Sequence, residues 1–325
     1  MQGVGSRRPW SGAAPAPIKS AMTLASKTMP AASQSRAALA VLLLGAVAVS
    51  FSGIFVKISE LGPSATGFHR LFLALPLLLL WQGVEARHQT RAPAKPQALR
   101  DFWILCLPGL YLAADLVCWH WSIRLTTAAT ATLLGNTAPI FVTLTAWLLY
   151  GQRFRSGFVI GLVVALGGVA ALLGSNNLDP THLIGNLAGI GAGITYAGYI
   201  MTLKVARERF STAQVMSWTA ISGTVVMLIA ALVSRESLIP PSLEGWAILI
   251  GLAWISQVGG QSMIAWALRH LPVAFSSVSM LINPVATFFF AWFLIDERLT
   301  PWQILAGVVV LVGILIARLY SERRS

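Results

Sequence analysis

Asp115 is the only acidic residue in the apolar run 102–123. An acid near the centre of a membrane-length helix costs about 2.5–3.5 kcal/mol on insertion scales, so it calls for a use or a partner. A carboxyl at that depth can hold and release a proton. Tyr111 and Trp119 stand one turn to either side of it, which puts all three on one helical face. That spacing predicts an aromatic-lined acidic site suited to a cationic or amine-bearing solute. The alternative use is a structural ion pair or hydrogen bond with a basic group. Arg70, about a turn and a half inside another apolar run with His69 beside it, is expected to pair structurally or to snorkel outward. Binding an anionic solute group is its other reading. His120 falls near the end of the Asp115 run and reads as interfacial.

Three further sets are polar or helix-breaking at membrane depth. Gln257 and Gln261 are one turn apart, with Trp254 one turn before, so they share a face turned to a cavity or to a neighbouring helix. Tyr196, with Tyr199, is a weaker case of the same kind. Pro139 and Pro284 sit mid-run, each next to polar residues: Asn136 and Thr137 by one, Asn283 by the other. A proline removes an amide hydrogen and clashes with the turn before it, which frees carbonyls around Gly135 and Met280. Such a break is tolerated in a bilayer only where protein or a water-filled cavity satisfies the backbone. Either these are solute-contacting kinks or they are packing kinks.

The elements holding these residues follow from composition. The chain is 56% hydrophobic and 10% charged, against ~25% charged for a soluble domain. Runs long enough to span a bilayer recur at 37–57, 64–81, 102–123, 127–150, 158–174, 184–203, 213–234, 246–268, 272–295 and 302–319. They are too long for barrel strands and lack a two-residue alternation, so the expected fold is all-α and integral to the membrane, with ten transmembrane helices. Gly161, Gly167 and Gly168 are expected small-residue packing positions in the fifth. The net charge of +12 lies in short loops and tails, not in a basic stripe, so no nucleic-acid partner is expected. Cys106 and Cys118 are about 18 Å apart along one helix and cannot bridge. Metal-ligand and cofactor spacings are lacking in the sequence, so neither a metal nor a cofactor is expected.

The runs form two copies. Residues 134–153 align without a gap on 279–298: Pro139 falls on Pro284, Ala146 on Ala291, Trp147 on Trp292 and Arg153 on Arg298, each pair 145 residues apart. Trp121 and Trp266, Arg124 and Arg269, and Gly168 and Gly313 keep the offset, which marks an internal duplication. The expected organisation is a disordered basic tail 1–36, a first five-helix repeat 37–174, a linker 175–183, a second repeat 184–319 and a tail 320–325. Met22 and Met29 stand beside Met1 as candidate starts. With the N-terminus in the cytoplasm, only Lys57, Arg124, Arg235 and Arg298 fall outside and Arg70 within a span; the rest of the 23 Lys and Arg fall inside. Both termini are therefore expected in the cytoplasm. Five spans per copy is an odd number, so the second copy enters the membrane inverted, as in many secondary transporters.

The stretches ATATLLGNTAPIFVTLTAWLLYGQR and AFSSVSMLINPVATFFFAWFLIDERLTPWQILAGVVVLVGI resemble the signature repeats of the EamA family of the drug/metabolite transporter superfamily. Pro284, Glu297, Arg298, Gly307 and Gly313 fit the family pattern in the second copy. In the first, Gln152 stands where an acidic residue is usual. The resemblance covers 37–319. It implies a carrier for a small solute, commonly an exporter of amino acids or other metabolites, with proton or counter-substrate coupling common. The expected function is alternating-access export of an amino acid, amine or related solute across the inner membrane, with protons and the lipid bilayer as further partners. Each repeat finds its partner within the chain, so a monomer suffices. The rival classes are an intramembrane lipid- or metabolite-modifying enzyme, for which no HExxH, GxSxG or carboxylate pair is present, and a channel, for which no filter-like segment is present.

Overall fold

The computed structural model describes residues 32–88, 96–125, 128–173, 183–295 and 301–321. The described elements are helices: α1 Ala32–Ile58, α2 Pro63–Phe72, α3 Leu75–His88, α4 Leu99–Leu125, α5 Ala128–Gly135, α6 Ala138–Tyr150, α7 Ser156–Leu173, α8 Leu183–Arg209, α9 Thr212–Val233, α10 Leu243–Gly251, a π-helical segment Leu252–Gln261, α11 Ser262–Leu268, α12 Val273–Ser279, α13 Ile282–Ile295 and α14 Pro301–Ser321. Among the described residues, six stretches are long and apolar enough to cross a membrane: Arg36–Ile58, Pro63–Arg87, Leu99–Leu125, Leu183–Arg209, Thr212–Val233 and Leu243–Leu268. Shorter apolar helices cover Ala138–Leu149, Ser156–Ala171, Val273–Thr287 and Ile304–Tyr320. Large apolar side chains such as Leu44, Val163, Leu187, Val225 and Leu315 face outward, as helices solvated by lipid require.

Residues 32–36, expected in the disordered tail, already belong to α1, and Tyr320 and Ser321, expected in the C-terminal tail, belong to α14. Most of the N-terminal tail, nearly all of the linker and the residues Glu297 and Arg298 lie outside the described residues.

The prolines cut the helices where the sequence predicts. At Pro139 the ladder stops at Asn136, whose amide bonds Thr132 O (3.0 Å), and restarts from Thr137. At Pro284 it stops around Met280 and Leu281. The Met280 carbonyl is not left free as expected: the Asn283 amide donates to it at 2.9 Å, a tightened turn that spans the break. Pro76 cuts a third helix, between α2 and α3. The π-helical stretch in Leu252–Gln261 is a difference from the regular helix expected there.

Packing is tightest where small residues allow it. Gly161 and Gly168 of α7 sit against the α14 backbone at Ala317 and Val310, and Gly313 of α14 sits against Ala165, so a methyl at any of the three would collide. Gly167, expected with them, turns away and has nothing within 4 Å. It lies one residue from Gly168, on a different face of the helix. Elsewhere α4 packs between α8 and α9, and α1 packs along the π-helical segment, α11 and α13.

Candidate functional site

The two breaks open onto one cavity of about 760 Å³. Its wall takes Asp115, Leu116 and Trp119 from α4, Arg70 from α2, and Tyr196 and Ile200 from α8. Asn136 and Pro139 come from one break, Asn283 and Pro284 from the other, and Gln261 from the end of the π-helical segment. Eight of the side chains singled out by sequence thus meet at one place: Asp115, Trp119, Asn136, Asn283, Gln261, Tyr196, Pro139 and Pro284.

Tyr111 is not with them. It lines a separate groove of about 430 Å³ with Phe141, Thr145, Ile194 and Met201, its ring pressed on Gly198 of α8. The cavity reaches only as deep as Leu112 on α4, and one residue further the glycine of α8 makes room for the ring on the other side. The expected acid flanked by two aromatics is therefore an acid with one, Trp119.

Gln257 stands behind the wall. It is fully buried and accepts from Arg70 Nε at 3.0 Å through Oε1. Arg70 is 6% exposed and does not snorkel outward. Asp115 and Arg70 are the acid and the base that meet deep in the cavity, yet they close no ion pair among the described residues. His69 turns away from the cavity; its ring bonds Ala65 O (2.9 Å) and meets Trp246 edge-on. His120, expected at the interface, is buried and faces the cavity. Its Nδ1 has no hydrogen-bond partner among the described residues.

The other polar residues are partly committed to the fold. Tyr199 OH donates to Gln261 Oε1 at 3.0 Å. Asn136 Nδ2 donates to Thr132 O at 2.8 Å, capping its own broken helix. Thr287 Oγ1 donates to Asn283 O at 3.0 Å and to Ser50 O at 3.3 Å, which ties the second break to α1.

Toward one end of the bundle the cavity runs out between Lys57, Pro63, Ile123 and Arg124. Glu236 braces this mouth: it accepts the Ala65 amide at 2.8 Å, at the first turn of α2, and lies 3.8 Å from Arg124. A carboxylate there complements the partial positive charge of a helix N-terminus. Glu60 accepts from Ser242 Oγ at 2.6 Å alongside it. Toward the other end Tyr199, Leu203 and Met216 are fully buried in the core. Below them Lys204 Nζ donates to Leu268 O (2.6 Å), Arg269 O and Leu271 O (both 3.3 Å), fastening α8 to the end of α11.

A deep, apolar-walled cavity with a few charges, open toward one end of a membrane bundle, suits a solute that is bound and passed on. The family model of the EamA-like transporter family matches residues 36–174 and again 183–319. The chain belongs to that family. Among similar proteins, an uncharacterized transporter of Archaeoglobus fulgidus is 24% identical over 84% of this chain and 95% of its own. The pseudopaline exporter CntI of Pseudomonas aeruginosa is 24% identical over 65% of this chain and 72% of its own. A probable terminal-alkyne amino-acid exporter of Streptantibioticus cattleyicolor is 24% identical over 86% and 92%. A solved crystal structure shares the fold with a TM-score of 0.73 at 16% identity, over 89% of this chain and 99% of that one. This EamA member is a membrane transporter, and the enzyme alternative falls away with its relatives, which are named transporters and exporters.

Of the cavity residues, His120 was read only as interfacial, and Arg70 faces the cavity as its second reading, binding of an anionic solute group, would have it. The available signal was a charge inside a span with no acid one turn away on its own helix.

Proposed function

We propose that this EamA protein is a secondary carrier that exports a small, amino-acid-like metabolite across the cytoplasmic membrane by alternating access, with Asp115 as the proton-coupling group. The observation that carries the reading is the repeat symmetry of the cavity wall. Thr132 and Ser277, Gly135 and Met280, Asn136 and Leu281, Ala138 and Asn283, and Pro139 and Pro284 all line it, and each pair is 145 residues apart. One cavity straddled by both copies of one motif is what an in-plane two-fold axis through the bilayer centre produces.

The packing supports the same axis. The α4–α8 contact becomes the contact of α1 with the π-helical segment and α11 when the two copies are exchanged. The α7–α14 contact becomes itself. The six long helices and the four shorter apolar helices make ten spans, five per copy. With both termini in the cytoplasm, the mouth at Lys57 and Arg124 faces out, and the packed end at Lys204 faces in. A second state of similar energy, with the roles of the copies exchanged, would open inward. Export rests on the names of two exporters among its relatives, and an amino-acid-like solute on the name of one of them.

The test is flux from proteoliposomes loaded with an amino-acid and amine mixture, with and without an imposed pH gradient. The expected result is saturable loss of one solute class, accelerated by the gradient. Flux that rises linearly with concentration would instead describe a channel, and no protein-dependent flux would overturn the carrier reading.

A further inference from the structure

We propose that Arg70 is the carboxylate-recognising residue of this cavity, positioned by Gln257, and that the transported solute carries a carboxylate besides any amine it presents to Asp115. The inference rests on the carrier reading above and names the second half of what the carrier holds.

A guanidinium has five N–H donors in a rigid fork. Among the described residues Arg70 spends one of them, Nε, on Gln257. Its Nη edge meets no acceptor among the described residues, and Arg70 lines the cavity. A buried charge is normally paired, because leaving it unpaired forfeits several kcal/mol of solvation. Asp115 lines the same cavity and does not close on Arg70, although the charge of each is felt by the other. Tyr199, also close enough to act on Arg70, has its hydroxyl committed to Gln261. The cavity wall thus carries one guanidinium and one carboxyl group that close no ion pair with each other among the described residues. A solute with one charge of each sign fits that arrangement, with two parallel N–H···O bonds to its carboxylate.

Gln257 makes the choice of Arg70 specific. It reaches across from the second copy, is wholly enclosed, and acts as a neutral acceptor. A neutral amide fixes the fork without consuming its charge; a carboxylate in that place would neutralise it. The same cavity wall also carries Ile54, Leu112, Leu116 and Met280, so an aliphatic probe is suitable.

The experiment uses the full chain in proteoliposomes loaded separately with leucine, leucinamide and isopentylamine, which share a side chain and differ in the carboxylate. Leucine is expected to leave saturably, with the other two at least roughly tenfold less efficient, the loss of one charge-assisted contact. Arg70→Gln should erase this preference. Gln257→Glu, isosteric and still able to bond Arg70, should raise the KM for leucine about tenfold or more with a smaller change in maximal rate, which a purely structural role would not produce. Arg70→Lys should restore part of the preference. Equal handling of all three solutes by the wild type would overturn the inference and leave the carrier standing. An unchanged leucine KM in Gln257→Glu, or an undiminished preference in Arg70→Gln, would overturn it as well. If phosphatidylglycerol in the vesicles competes with leucine, the Arg70 site belongs to a lipid phosphate and the inference is overturned. Flux of none of the three overturns it together with the carrier reading.

Discussion

Span three and span eight are the same element in two copies, and they carry different chemistry. In α4 an unbroken helix of 27 residues puts Asp115 on the cavity wall. In span eight, the stretch built from α10, the π-helical segment and α11, the residue at the Asp115 position is Gly260, while Leu112 and Leu116 are replaced by Gln257 and Gln261. Among the described residues no hydrogen bond or ion pair holds the acid of one copy, whereas the amides of the other hold Arg70 and Tyr199. Gly260 lets α1 approach: a Cβ there would stand 2.9 Å from Val49 N and 3.0 Å from Gly45 O. The duplication supplied two scaffolds, and one has become the charged side while the other positions and packs. A ten-residue π stretch on the packing side fits the tendency of such segments to occur at functional sites.

The largest effect expected from breaking this contrast comes from Asp115→Asn. The amide keeps the shape and cannot exchange a proton, so gradient-driven export should fall to the level of empty vesicles. The folded protein should be no less stable, because a lone acid in the bilayer is a cost in itself, about 2.5–3.5 kcal/mol on insertion scales. Driven flux in proteoliposomes and a thermal melt in detergent read the two halves of the prediction. Equal driven flux in both proteins would return Asp115 to a structural role and remove the asymmetry between the spans.

Next in size is Gly260→Ala. Two of the atoms the new methyl would meet are backbone, at Val49 and Gly45, so α1 and the π-helical segment must move apart. Forced overpacking of this kind costs about 1–3 kcal/mol, to be read as a lowered melting temperature in detergent. An unchanged melt would mean that the glycine at the Asp115 position is not there for close approach.

The 145-residue offset and the breaks at Pro139 and Pro284 were legible because each depends on sequence spacing and backbone chemistry alone; that Asp115, Asn136, Asn283 and Gln261 meet at one cavity depends on how the helices pack. Tyr111 and Gly167 were not legible either. Both sit within 40–100° of a residue that does face the predicted way, and a helical wheel cannot say where one neighbour ends and the next begins. Which of Arg70's readings holds was not legible, because its hydrogen-bond partner Gln257 is 187 residues away in sequence. The π-helical stretch contains Gly260, which packs closely on α1, a long-range contact that no local pattern encodes.

Tyr199→Phe probes the positioning side more gently. The bond to Gln261 is buried and its loss leaves one amide oxygen short of a donor. A stability loss of about 1 kcal/mol is expected, with flux retained if the tyrosine only packs the core. A large drop in flux with an unchanged melt would instead put Tyr199 among the groups that meet the solute.

The smallest effect, and the control on the glycine argument, is Gly167→Ala. Gly260 and Gly167 are both glycines inside helical spans, yet one meets a neighbouring backbone within 3 Å and the other has nothing within 4 Å. If close approach is what matters, the two substitutions must have opposite signs. Alanine at 167 enters open space and removes the helical penalty of glycine, worth up to about 1 kcal/mol in water and less where lipid already favours the helix. The expected melt of Gly167→Ala is equal to or slightly above that of the wild type, with flux unchanged. A loss comparable to that of Gly260→Ala would mean that glycine serves these helices by flexibility, and the contrast between spans three and eight would then be one of backbone freedom rather than of packing.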